Sequence, residues 1–271
     1  MEPSVMSALS TPSSYAGGLI LATRRPPVTT IVLNSPENRN ALTAEGARAL
    51  AEALAAADRD DEIRAVVITG AGGHFCSGAH LESLNASEPY FAWAGEGGPL
   101  HKRLSKPLIG AIEGYASAEG FGLALMCDIR IVDSTAVFGV FGRRLGLTGD
   151  GTAARLPAIV GAAQAMDILL SGCAIGCDRA LVVGLATRKA ANTGTRAAAE
   201  KLAREIASFS PAALAVDRAV AQATIDGHPQ RALTMDVEAS TDLFFNEGRE
   251  AVRALITAPH ALRAGAQRGV A

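Results

Sequence analysis

The chain has 271 residues, 49% of them apolar and 19% charged, which is enough for a full core and excludes a disordered composition. Lys and Arg number 25 against 27 Asp and Glu, a net charge of -2, which argues against a general binder of nucleic acid. Four cysteines, Cys76, Cys127, Cys173 and Cys177, are too few for a disulfide scaffold, and the lone Cys173-x3-Cys177 spacing lacks a second pair of zinc ligands, so no metal is expected.

Residues 1–16, rich in Ser, Pro and Thr, read as a flexible tail without the basic and apolar regions of a secretory signal. No apolar run reaches 18 residues, so no membrane span is expected and the protein reads as soluble and cytoplasmic. Residues 19–23 and 28–33 predict an opening hairpin around Arg24-Arg25-Pro26-Pro27. Thr43 can cap a helix running to about Asp58, with Ala47, Leu50, Ala51, Leu54 and Ala57 on one face. Residues 65–69 form a continuous apolar strand, as a sheet buried on both faces requires. A Gly-rich loop over 70–78 follows, then an unpatterned stretch over 83–99, a strand over 107–112, a loop over 114–120, a short helix over 121–127, and strands over 129–132 and 136–140. This alternation over 17–195 predicts a layered α/β core. Residues 197–209, 211–225 and 230–245 then read as helices punctuated by Ser210-Pro211 and His228-Pro229. The region 196–271 is therefore expected to be helical, burying its apolar residues on the α/β body or on a neighbouring subunit.

Two small-residue loops carry the chemistry. Phe75-Cys76-Ser77-Gly78-Ala79 follows the strand ending at Thr69; Gly114-Tyr115-Ala116-Ser117-Ala118-Glu119-Gly120-Phe121-Gly122 follows the strand ending near Ile112 and opens a helix. Small side chains let a ligand approach main-chain N–H groups, and the first N–H groups of a helix lack intrahelical partners and sit at the positive end of its dipole. One N–H from each loop would make an oxyanion hole, in which a single donor contributes about 3 kcal/mol of transition-state stabilisation. Either loop alone reads as a tight turn that needs glycine.

The ordered set Asn38-Arg39-Asn40-Ala41-Leu42, Phe75-Cys76-Ser77-Gly78-Ala79, Gly114-Tyr115-Ala116, Cys127-Asp128-Ile129-Arg130, Phe138-Gly139, Arg155-Leu156-Pro157 with Gly161, and Ala180 with Gly184-Leu185-Ala186 resembles the enoyl-CoA hydratase/isomerase (crotonase) superfamily over residues 17–250. The resemblance implies a spiral of ββα units, a C-terminal helical region (196–271) used in trimer assembly, and hence a homotrimer or hexamer. It implies an acyl-CoA or other pantetheine thioester as ligand, with coenzyme A entering as part of the substrate and no separate cofactor. By the same resemblance, the oxyanion donors are the backbone N–H groups of Cys76 and Glu119, and coenzyme A meets Arg39, Ala41, Ser77 and Gly78. Glu119 stands where the family usually has Gly, and His80 where it usually has Asp. Arg39 reads alternatively as a solvated loop charge, and His80 as a surface or helix-start histidine rather than a substrate contact.

Hydratases of this family use two glutamates to position and activate water. Their places fall on Gly122 and Gly142. Glycine cannot move a proton, so two-glutamate hydration is not supported. Asp150 is the leading substitute, since some branches place an aspartate in this loop; it also reads as a cap for the helix beginning near Gly151. Glu119 is the second: turned inward it is a buried acid or base, turned outward a helix-terminal charge. Arg143 or Arg144 would bind an acidic acyl substituent or pair with Asp150, or else be a solvated or subunit-contact charge. Phe141, with Phe75 and Phe138, reads as core, with pocket lining as the alternative. Residues 81–104 are expected to shape the acyl pocket. The expected function is enolate chemistry on an acyl thioester: isomerisation, C–C cleavage or formation as in a lyase, or a non-standard hydration. A non-catalytic acyl-CoA-binding protein or a scaffold of a biosynthetic complex is the competing reading.

Overall fold

A computed structural model of the chain describes residues 12–80, 91–142, 147, 151–227, 237, 238, 242 and 246. The chain divides into two compact units, Met1–Ser208 and Phe209–Ala271. In the first, β2 (Ile20–Arg25) and β3 (Val28–Leu33) form the expected hairpin, with Arg25 opposite Val28 across the two prolines. Ser13–Tyr15, expected within a loose tail, is an edge strand β1 paired antiparallel with β2. The open side of β2 offers unpaired N–H and C=O groups, and a short polar segment nearby satisfies them.

From β3 onward the pairing is parallel, through β4 (Ala65–Gly70) and β5 (Leu108–Ile112). β6 (Tyr115–Ser117) leaves this sheet and joins β8 (Val137–Gly139) and β9 (Ile175–Gly176) in a second sheet of order β6-β8-β9. β7 (Ile129–Val132) and β10 (Arg188–Lys189) complete the first, in the order β1-β2-β3-β4-β5-β7-β10. Strands of two or three residues are too short to show a period of two, which is why β6, β9 and β10 leave no sequence pattern.

The continuous apolar run in β4 is a sheet strand covered on both sides. Val66 and Ile68 enter the larger core together with Leu50 and Leu54 of α1 (Ala44–Arg59). The Thr43 hydroxyl caps α1, accepting the Gly46 N–H at 3.2 Å. Ala65 and Val67 enter a second core against Ala199, Leu202 and Ala203. These lie on a helix over 195–206, which covers the far face of the sheet within the first unit. Between them lie α2 (Glu119–Met126), α3 (Thr152–Val160), α4 (Ala162–Ser171) and α5 (Cys177–Val182), which makes Thr195–Ile206 α6. In the second unit α7 (Pro211–Ile225) starts where expected, its Ala213 N–H donating to the Ser210 hydroxyl at 3.3 Å. The helix expected over 230–245 lies mostly outside the described residues. No described helix is long and apolar enough to cross a membrane.

Buried Arg130 ties α2 into this frame. Its Nε donates to the Leu185 carbonyl at 2.6 Å, and its Nη1 donates to the carbonyls of Ala124 (3.4 Å) and Cys127. The last carbonyls of a helix have no intrahelical donors and carry the negative end of the dipole, so they stabilise a buried cation. Burial lowers the Arg130 pKa from its ordinary value. Arg130→Met leaves these carbonyls without their donor, and equilibrium urea denaturation should show a loss of about 3 kcal/mol.

Candidate active site

A zipper of backbone hydrogen bonds joins the two glycine-rich loops. The Phe75 N–H donates to Glu113 O (2.8 Å), Cys76 N–H to Tyr115 O (2.9 Å) and Ser117 N–H to Cys76 O (3.0 Å). Cys76 thus stands in a parallel bridge with Ala116 of β6. This corrects the expected role of Cys76: its one amide hydrogen is used by the sheet and cannot point at a ligand. Its thiol is no alternative. The Sγ lies 3.2 Å from the Asn40 carbonyl, and burial pushes its pKa up to about 12, so it stays protonated and unreactive.

The amides that follow have separate destinations. Ser77 N–H donates to Arg39 O (3.0 Å), Gly78 N–H to Cys76 Sγ (3.4 Å) and His80 N–H to Leu42 O (2.9 Å). The Ala79 N–H donates to the carboxylate of Glu119, at Oε2, at 2.8 Å. Ala79 is therefore the amide of the first loop that meets a carboxylate. Motif spacing could not distinguish it from Cys76; only the strand pairing does.

Glu119 is the first residue of α2, so its own N–H has no acceptor within the helix. Its side chain is only 6% exposed and turned inward, onto Ala79. The loops touch closely here. A Cβ on Gly78 would lie 2.5 Å from Glu119 Oε2 and 3.2 Å from Glu119 N, and one on Gly120 would lie 2.2 Å from Cys76 O. Ala118, just before Glu119, has φ 50° and ψ -123°, a conformation suited to glycine. The strained residue sets the direction from which α2 begins.

Gly122 is buried within α2. A Cβ on Gly142 would stand 3.0 Å from the Leu147 Cβ, so an apolar side chain crowds the second of the two positions where a family carboxylate was expected. Asp150, Arg143 and Arg144 lie outside the described residues. The capping position of α3 is Gly151. The Thr152 hydroxyl donates to Ala118 O at 3.3 Å, which brings the start of α3 to the start of α2.

Residues 38–42 run beside 76–80: Leu42 N–H donates to Gly78 O at 3.0 Å, and Leu42 bridges Ala79. Arg39, Ala41, Ser77, Gly78 and His80 are thereby gathered next to Ala79. Exposed Arg39 lies with its guanidinium 5.1 Å from the Tyr115 ring centre. The His74 ring stacks on Tyr115 at 5.5 Å, and Phe141, 38% exposed, meets it edge-on at 6.3 Å. Burial, and then the charge of Arg39, lower the His74 pKa. Phe75 and Phe138 are core.

Asn40 went unnoticed in the sequence beyond its place in the motif. Fully buried at φ 56°, it accepts the Ser35 N–H (2.9 Å) and donates to the carbonyls of Ala71 (2.9 Å) and His74 (2.6 Å). One amide side chain so ties the turn at Ser35 to the start of the first loop, and Asn tolerates the left-handed backbone this needs. Of the segment expected to shape an acyl pocket, residues 81–90 lie outside the described residues, while Trp93 and Leu100 join the larger core. Arg155 holds Leu100 O (2.7 Å) and Gly151 O (3.2 Å) together.

The family described as enoyl-CoA hydratase/isomerase matches residues 23–255. A protein named "Probable enoyl-CoA hydratase echA12" from Mycobacterium bovis is 34% identical over 200 residues, covering 69% of this chain and 70% of its own. The (E)-benzylidenesuccinyl-CoA hydratase of Thauera aromatica is 34% identical over 187 residues, covering 67% and 73%. The crystal structure of an enoyl-CoA hydratase from Mycobacterium tuberculosis H37Rv superposes with a TM-score of 0.81 at 29% identity, covering 88% of this chain and 95% of that one.

Two outcomes test this geometry. Ala118→Gly relieves the positive φ and, after the entropy cost of glycine, should raise stability by about 1 kcal/mol in urea denaturation. In the native protein, iodoacetamide at neutral pH should leave buried Cys76 and Cys127 unmodified, both thiols being held at about 12, and peptide mapping should find them alkylated only after unfolding.

Proposed function

The chain belongs to the enoyl-CoA hydratase/isomerase family, and we propose on that basis that it acts on an acyl-CoA thioester whose carbonyl oxygen is received by the N–H groups of Ala79 and Glu119. The observation that carries this reading is the Ala79 amide, which already holds an anionic oxygen, that of Glu119, at 2.8 Å. A site that binds a carboxylate oxygen suits the oxygen of an enolate, where negative charge gathers when the α-carbon loses a proton or the double bond is attacked. Each preorganised donor there contributes about 3 kcal/mol to the transition state.

The reaction is not the two-carboxylate hydration. With Gly122 and Gly142 at the two places, the two glutamates such a hydration uses are missing. Isomerisation, C–C cleavage or formation, and a water addition run by other groups all pass through the same enolate. Proton transfer falls to Asp150, two positions before Thr152 in the sequence, with the buried Glu119 carboxylate as the second group. Arg39, Ala41, Ser77 and Gly78 form the surface for coenzyme A, the thioester entering as substrate with no separate cofactor. Arg143, Arg144, His80 and Phe141 are the candidates for contact with the acyl substituent. A homotrimer or hexamer fits the exposed apolar side chains of Met166 and Leu170 of α4 and Val182 of α5.

The absence of both carboxylates also favours a second reading, a protein that binds acyl-CoA without turning it over. A panel of acyl- and enoyl-CoAs followed by mass spectrometry separates the two. Enzyme action predicts consumption of at least one thioester, and Asp150→Asn should slow it by about 100-fold or more while binding persists. Tight binding with no consumption across the panel selects the second reading.

A further inference from the structure

We propose that Glu119 guards the oxyanion site: its carboxylate and the thioester oxygen compete for one hydrogen, that of the Ala79 amide. This rests on the thioester reading of the site and adds a control to it. Three observations carry it. The Ala79 N–H is held by Glu119 Oε2 at 2.8 Å, a charge-assisted bond from a side chain 6% exposed. The carboxylate is seated against the main chain, since even a methyl group on Gly78 would come within 2.5 Å of it. The neighbouring amides of Cys76, Ser77, Gly78 and His80 are bonded to Tyr115, Arg39, Cys76 and Leu42, partners that stay fixed with the fold. Ala79 alone in this run is held by a long side chain with rotatable torsions, so its bond can open without moving the backbone.

An amide N–H has one hydrogen and makes one strong bond. A thioester carbonyl therefore enters only when the carboxylate leaves. A carboxylate that stayed would also set a full negative charge beside the oxygen on which the enolate's charge develops, which opposes the reaction. The consequence is specific. The guard penalises ligands for having a carbonyl at this point and is indifferent to the nucleotide and pantetheine portions of coenzyme A. Removing the carboxylate leaves both backbone donors in place, because they belong to the main chain.

The test compares acetyl-CoA with S-ethyl-CoA, the thioether in which the carbonyl is a methylene, by calorimetric titration into the full-length wild type, Glu119→Ala and Glu119→Gln. The ratio of the thioether to the thioester dissociation constant reports the carbonyl contact alone. In Glu119→Ala the ratio should rise about tenfold over wild type, the scale of one charge-assisted hydrogen bond. Glu119→Gln, of equal length but neutral, should fall between them, and it supplies the readout if the Ala variant fails to fold. A merely structural role for Glu119 would weaken both ligands together and leave the ratio where it was. A ratio above one in wild type that neither variant raises overturns the guard and leaves the thioester reading standing. A ratio of one in all three proteins removes the oxyanion reading, and the guard falls with it.

Discussion

The pairing of Phe75 and Cys76 with the stretch from Glu113 to Ser117 is the contact on which the site depends. Three main-chain hydrogen bonds of 2.8 to 3.0 Å bring a loop that follows β4 against a loop that follows β5. Once they are joined, everything downstream has little freedom. Gly120 must lack a side chain because the Cys76 carbonyl is in the way, and Ala79 arrives opposite the first turn of α2. The same bonds that build the site withdraw the Cys76 amide from it. An N–H three residues further on faces Glu119 because the chain has by then left the bridge and turned through Gly78, at φ 102°.

Buried polar side chains bonded to main-chain groups hold this arrangement in place. Arg130 is surrounded by carbonyls at the end of α2, and Asn40 by an amide and two carbonyls at the start of the first loop. Both satisfy backbone groups that irregular chain leaves unpaired, and a buried backbone group without a partner is costly. Ala118 works in the other direction. Its positive φ is unfavourable, and it persists because β6 before it and α2 after it leave the chain no other course. Strain and satisfaction meet at the same turn, where the helix dipole points its positive end at the carboxylate of Glu119.

Two glycines, Gly122 and Gly142, stand close to the start of α2 and after β8. Family hydratases have acids at these places; here one position lies inside a helix of small and apolar residues and the other is crowded by Leu147. The carboxylate that lies between the two loops comes from Glu119, which accepts the Ala79 N–H, a bond that glycine at this place could not make.

Several features could be read from residue order because their causes are local. The Thr43 cap, the one-sided apolar pattern of α1 and the continuous apolar run of β4 depend on neighbours within one or two turns, and they held. The ordered motifs, spaced along most of the chain, were enough to identify the family. Other features had no local signal. β6, β9 and β10 are too short for periodicity, and the Ser13–Tyr15 strand exists because β2 has an open edge. The helix over 195–206 finds its place as the cover of the second apolar face of the sheet. The donor at Ala79, the tie at Asn40 and the inward turn of Glu119 all depend on which main-chain groups remain after distant strands have paired. Spacing in the sequence counts residues, whereas the direction of an N–H is decided only when a strand from elsewhere in the chain takes, or leaves, its hydrogen.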